Sequence, residues 1–229
     1  MNHEQVRRHF AERWKNIAPP IQKIRIRTYP DNRRVSVGPL PPGYFLVGRG
    51  TDAAVIGTVH DPSIVFKIYG PDRLHKVREE AEVYRRLGDS PFFCRFLGQG
   101  EGFLVLSREK GPTFHECLEK GIPVPEQAMR DVEKAREHVR QCGLNPKGIH
   151  LRNILLVDGR AKVVDVAEFL GTGRDRRWDW LALGYRTVYP LIRGRAVPHW
   201  LLEAVKRVSR LNVHKLRRWN LKTGTERSR

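Results

Sequence analysis

A short run near the middle of the chain constrains it most. Residues Gly143-Leu-Asn-Pro-Lys-Gly-Ile-His-Leu-Arg-Asn-Ile-Leu-Leu156 lead from a loop into an apolar strand, and Lys162-Val-Val-Asp165 closes a second one. Asp158-Gly159 is a turn pair of the kind that joins two antiparallel strands. Asn153 stands just before the first strand and Asp165 just after the second. Amide and carboxylate oxygens are what a hard cation such as Mg²⁺ takes as ligands. Asp165 alone reads equally well as a helix or turn cap. Its pairing with Asn153 favours the cation.

Upstream, Gly48-Arg-Gly-Thr-Asp-Ala-Ala-Val55 lies between two strand-like runs. It fits G-x-G-x-x-G-x-V with Ala53 in place of the third glycine. Gly48 and Gly50 would let the backbone come close to a phosphate and offer its N–H groups. Lys67 ends the next apolar strand, Ile64-Val-Phe-Lys67. A lone lysine at a strand end is commonly a surface residue, but one following a Gly-rich hairpin suits α- and β-phosphates. The helix after it carries Val77, Ala81, Tyr84 and Leu87 at helical spacing. Glu80 flanks that face and could reach Lys67. Glu79 and Glu82 compete for the same role, and all three could serve in i,i+4 pairs on a solvated helix.

In this order, Gly48, Gly50, Lys67, Glu80, Asn153, Asp165 and Asp179 resemble the motif set of the protein-kinase-like superfamily, over roughly residues 44–192. The resemblance implies an α+β, two-lobed fold with a strand-rich N-lobe, a helical C-lobe and an abbreviated activation segment. It implies ATP held by Gly48, Gly50, Val55, Lys67, Leu106 and Arg108, with Glu80 orienting Lys67. Phe103-Leu-Val-Leu-Ser-Arg-Glu-Lys-Gly111 looks like the adenine-contacting strand and hinge, with Leu106 as gatekeeper. Asn153 and Asp165 would hold Mg²⁺, and Asp179 would brace the catalytic loop from a helix.

Two departures stand out. In the family an Asp five residues before the metal-binding Asn takes the acceptor's proton, and here that position is Gly148. His150, two residues on, could touch a phosphate or hold the loop. After Asp165, Val166-Ala167 replaces Phe-Gly, and Asp175-Arg-Arg-Trp-Asp-Trp180 follows almost at once. That short layout is similar to small atypical kinases: the RIO type, lipopolysaccharide-type sugar kinases and the minimal kinase of the tRNA threonylcarbamoyladenosine machinery. The expectation is a Ser/Thr-protein-kinase-like phosphotransferase with weak or no catalysis. The alternative is a pseudokinase scaffold that binds RNA or a protein partner. A small-molecule or lipid-headgroup kinase is a third reading.

The chain's 229 residues carry 43 Lys and Arg against 25 Asp and Glu, a net charge of +18. A field of that sign favours polyanions such as RNA, though a basic proteome would produce it too. Three widely spaced cysteines show neither metal-ligand spacing nor a disulfide framework, so a reducing cytoplasm is expected. No run approaches the length of a transmembrane helix. The expected boundaries are an N-terminal helix and strand extension over 1–39, an N-lobe over 40–107, a C-lobe over 108–220 and a disordered basic tail over 221–229. A helix is expected from Glu4 to Ile17, and a strand or hairpin from Ile21 to Val37. A basic amphipathic helix is expected from Trp200 to Trp219, either packed as the last helix or facing phosphates.

Overall fold

In the computed structural model, residues 13–31 and 33–198 are described. They form a mixed α/β protein whose first half is rich in sheet and whose second half is mostly helical. The centre is a five-stranded antiparallel sheet of β3 (Tyr44–Arg49), β4 (Ala53–Thr58), β5 (Ile64–Tyr69), β6 (Phe96–Gly100) and β7 (Phe103–Ser107), in the order β3-β4-β5-β7-β6. Helix α1 (Leu74–Leu87) connects β5 to β6.

Strands β4 and β5 are apolar almost throughout because the sheet is covered on both faces. Successive side chains point to opposite faces, and the two faces feed separate clusters. Ala53, Val65, Tyr69, Leu104 and Leu106 pack with α1 and the helical half. Ala54, Ile56, Ile64, Phe66, Ile68, Phe103 and Val105 pack with Trp14, Ile21, Ile24 and Val35. The N-terminal segment is therefore the lid of the sheet's second face. Burying each of these large side chains contributes about 1.5–3 kcal/mol. Trp14 lies edge-on to Phe103 at 6.0 Å, and a Cβ on Gly98 would come within 2.8 Å of the Trp14 ring.

That segment is less regular than the alternation of Ile24, Ile26 and Tyr29 predicts. Residues 13–17 are helical, Pro19–Lys23 is a 3₁₀ turn, and only β1 (Ile26–Arg27) pairs with β2 (Ser36–Val37). The rest of the expected first helix, the Trp200–Trp219 helix and the tail lie outside the described residues.

The helical half contains α2 (Phe114–Lys120), α3 (Glu126–Gln141), α4 (Arg177–Thr187) and α5 (Tyr189–Ile192). In α3, Ala128, Asp131, Val132, Ala135, Arg136 and Val139 are buried at helical spacing. Against it lies the hairpin β8 (Ile154–Val157) and β9 (Arg160–Val163). Asp131, 1% exposed, clamps the hairpin to α3. It accepts from Arg160 at 2.7 and 2.9 Å and from the Ala161 N–H at 3.2 Å. The linker after β7 runs tight over β8, so that a Cβ on Gly111 would sit 2.0 Å from the Leu156 carbonyl oxygen. Val163 N–H donates to Phe92 O at 2.8 Å, tying β9 to the chain just ahead of β6. These ties place the end of β9 next to β5. Among the described residues no helix is long and apolar enough to cross a membrane.

Candidate functional site

Lys67 projects from β5 towards α1, opposite Val55 on β4 and Leu104 on β7. Its Nζ lies 2.7 Å from each carboxylate oxygen of Glu80 and 3.1 Å from Oδ1 of Asp165. Glu80 was expected to flank the packed face of its helix, but its side chain is fully buried within it. The Tyr69 hydroxyl also donates to Glu80. Burial in a cluster accounts for the choice of Glu80 over Glu79, which is exposed, and Glu82, which is half-buried and pairs with Arg85 and Arg86. Burial works against the Lys67 ammonium, but Asp165 and Glu80 outweigh it and raise its pKa. Burial likewise pushes Asp165 up. The Lys67 ammonium and the hydrogen bonds from Lys67 and the Ala167 N–H reverse this, leaving its carboxyl below the ordinary range. Burial, and then Asp165, hold the Glu80 carboxyl above its ordinary range, against the opposing pull of Lys67. A lysine and two carboxyl groups thus meet at the junction of sheet, α1 and β9.

Asn153 precedes β8 and sits beside Asp165 through the hairpin, with Val164 N–H donating to Asn153 O at 3.0 Å. Its Nδ2 donates to Gly148 O at 3.0 Å. The donor end of the amide is spent on the loop, and the oxygen is the end that can ligate a cation. Asp165 remains 42% exposed at its side chain. One amide oxygen and one open carboxylate fit Mg²⁺, which keeps several waters and binds phosphate oxygens rather than an all-protein cage. No cluster of three or more His, Cys, Asp or Glu among the described residues could hold a metal by itself.

The Gly-rich turn between β3 and β4 has a register shift at Gly48. Gly50 N–H donates to Ala53 O at 2.8 Å, and Gly50 O accepts from Val35 N–H at 2.9 Å. A Cβ on Gly48 would meet nothing within 4 Å, so the space above this glycine is open. Asp52 at the turn's tip pairs with Arg73 at 3.0 Å and Lys76 at 2.6 Å, anchoring the turn to the start of α1. Leu106 is buried in β7. Arg108 is differently disposed from a free hinge contact: its N–H donates to Ser63 O at 2.7 Å and its guanidinium lies over Phe45 at 4.8 Å.

Gly148 adopts φ +76°, the left-handed region that favours glycine. Asp179 was expected to brace this loop. Instead it is 40% exposed and accepts from Arg136 on α3 at 3.0 Å. The brace is Asp175, whose Oδ2 accepts from the Gly148 N–H at 2.9 Å and which is held by Arg177 at 2.7 Å. The reason is positional. Asp175 precedes α4 and can turn back to the loop, whereas Asp179 lies in the helix's first turn and faces α3. Asn145 adds the other tie, donating from Nδ2 to Gly171 O and Gly173 O at 2.9 and 2.8 Å. The sequence reading missed Asp175, Asn145 and Tyr69. An Asp just ahead of a predicted helix was the available signal for Asp175, while Asn145 and Tyr69 carry none without their contacts.

His150 is surrounded by Arg177, Asp165 and Glu168, and burial followed by Arg177 lowers its pKa. It is a neutral imidazole at pH 7. A groove of about 540 Å³ lined by Leu74, His75, Arg78, Gln99 and Glu101 lies between the start of α1 and the β6–β7 turn and includes none of these residues.

A lysine held between a buried helical carboxylate and a strand-end carboxylate has the same chemistry as the Lys–Glu pair and metal-binding Asp of kinases. The chain is 34% identical over 160 residues to a Bacillus subtilis (strain 168) protein named "Putative serine/threonine-protein kinase YrzF", covering 68% of this chain and 74% of that relative. It belongs to the protein-kinase-like superfamily. No protein-family model matches it.

Proposed function

We propose that the protein is an ATP- and Mg²⁺-dependent phosphotransferase of the Ser/Thr-protein-kinase-like class. The observation that carries this is Lys67 bridging Glu80 and Asp165 across 98 residues of chain. In this reading the domain is two-lobed, with lobes over 40–107 and 108–220 joined at the 108–112 linker. ATP lies between them. Gly48, Gly50 and Val55 cover the phosphates, Lys67 holds the α- and β-phosphates, and Glu80 fixes Lys67. Leu106 borders the adenine. Arg108 contributes beside it through groups other than its engaged N–H. Asp165 and the Asn153 oxygen would hold Mg²⁺, which would neutralise charge on the phosphates. A soluble, cytoplasmic setting goes with this reading.

Gly148 favours a second reading, a nucleotide-binding pseudokinase that acts as a scaffold. The net charge of +18 is compatible with RNA as its partner. Calorimetry of ATP with and without Mg²⁺ tests the first reading without knowledge of the acceptor. Metal-dependent binding is expected, and no binding in either condition would remove the nucleotide site. Binding without ADP release would leave the scaffold.

A further inference from the structure

The side chain absent at Gly148 has a neighbour. A Cβ placed on Gly148 would lie 3.2 Å from Cδ of Glu168 and 3.3 Å from its Oε1. The carboxylate of an Asp at position 148 would extend a bond beyond that Cβ, into the space the Glu168 carboxylate already borders. Glu168 is three residues past Asp165, in the short segment that replaces an activation loop.

Its position is built. Phe169 beside it is 1% exposed and packs edge-on against Phe93 at 6.0 Å. Phe169 O accepts from the Asn145 N–H at 2.9 Å, which joins the segment to the loop that carries Gly148. Arg177 donates to Glu168 Oε2 at 2.9 Å and also holds Asp175, the acceptor for the Gly148 N–H. The Glu168 side chain nevertheless remains 52% exposed, open to an incoming molecule.

We propose that Glu168 is the catalytic carboxylate of this protein, supplied from the segment after Asp165 in place of an Asp at position 148. This rests on the phosphotransferase reading. The acceptor hydroxyl oxygen forms a bond to the γ-phosphorus, the bond from that phosphorus to the β,γ-bridging oxygen breaks, and ADP leaves with its electron pair. The hydroxyl proton passes to a Glu168 carboxylate oxygen and from there to solvent. Water takes the hydroxyl's place when no other acceptor is present. The same geometry says that Gly148→Asp alone does not help. It forces a non-glycine residue to φ +76° and pushes a second carboxylate against the first.

The test is ADP release from Mg-ATP by the full chain with water as acceptor, alongside calorimetric Kd for Mg-ATP. Glu168→Gln keeps an oxygen for Arg177, so the segment stays in place. It is expected to leave Kd within about twofold and to lower turnover by about 10²-fold or more, the usual scale of a lost general base. Unchanged turnover in Glu168→Gln, with Kd intact, overturns the Glu168 assignment and leaves the nucleotide site standing. Mg-ATP binding with no ADP release by the wild type overturns it too, because a placed base activates water. Failure of the wild type to bind Mg-ATP overturns the underlying reading and Glu168 with it.

Discussion

The Nζ of Lys67 lies 2.7 Å from both carboxylate oxygens of Glu80, whose side chain has no exposure at all. Breaking a buried pair by removing one partner costs more than the pair itself contributes, because the remaining charge is left without compensation. Lys67→Met is therefore expected to destabilise the protein by about 3–5 kcal/mol in a denaturant titration. Lys67→Met with Glu80→Leu, which removes both charges, should recover most of that. A double variant as unstable as the single one would show that the loss lies in packing.

Asp165 presents the opposite case. Its side chain is 42% exposed and its work is to keep a negative oxygen facing open space. Asp165→Asn should shift Tm by no more than about 4 °C, equivalent to ~1 kcal/mol for a chain of this size. It should also abolish the Mg²⁺-dependent part of ATP binding. Metal-dependent binding that survives unchanged would sink the assignment of Asp165.

Asp175 and Asp179 differ by four positions and should differ sharply in effect. Asp175 has 9% side-chain exposure and accepts from the Gly148 N–H. Asp175→Ala leaves that donor without its partner, at a cost of about 1–3 kcal/mol, and speeds hydrogen exchange at the Gly148 amide. Asp179→Ala removes one of the two carboxylates on buried Arg136, which keeps Glu133 at 3.2 Å, and should leave the Gly148 amide as protected as before. Equal protection of the Gly148 amide in both variants would contradict this division.

His150 yields a pH dependence. Its folded-state pKa lies below the ordinary 6.5, chiefly through burial and then through Arg177. At pH well above 6.5 it is neutral in both states and contributes no slope. As pH falls through 6.5 the unfolded chain takes up a proton that the folded chain refuses, so stability drops. The drop continues until the folded-state pKa is reached. His150→Gln should flatten this part of the stability profile between pH 7 and the folded pKa. An unaltered slope in the variant would place its origin elsewhere.

Much of the site was legible before the fold was known, because it is written in local patterns. A strand ending in Lys67, a helix with its apolar stripe beside Glu80, and a hairpin turning at Asp158-Gly159 between Asn153 and Asp165 each follow from spacing of a few residues. What escaped were elements with a weak period. β6 contains Gly98 and Gly100, which dilute any alternation. Helix α2 is only seven residues long, although Thr113 and Glu116 form a capping box that could have marked its start.

The sequence by itself determined which residue types reach the site, the absence of an Asp at position 148 and the brevity of the segment after Asp165. The tertiary structure decided which partners they meet. Period-2 alternation cannot tell that both sheet faces are covered, yet that is why the N-terminal segment packs as a lid and why β4 and β5 are apolar almost throughout. Motif spacing pointed to Asp179, and the direction of α4 handed the role to Asp175. Nor could any local pattern place Glu168 beside Gly148, 20 residues away, because that approach depends on how Arg177, Asn145 and Phe169 hold the segment. Short-range order follows from neighbouring residues. Contacts between distant residues arise only once burial and hydrogen bonding have fixed the path of the chain.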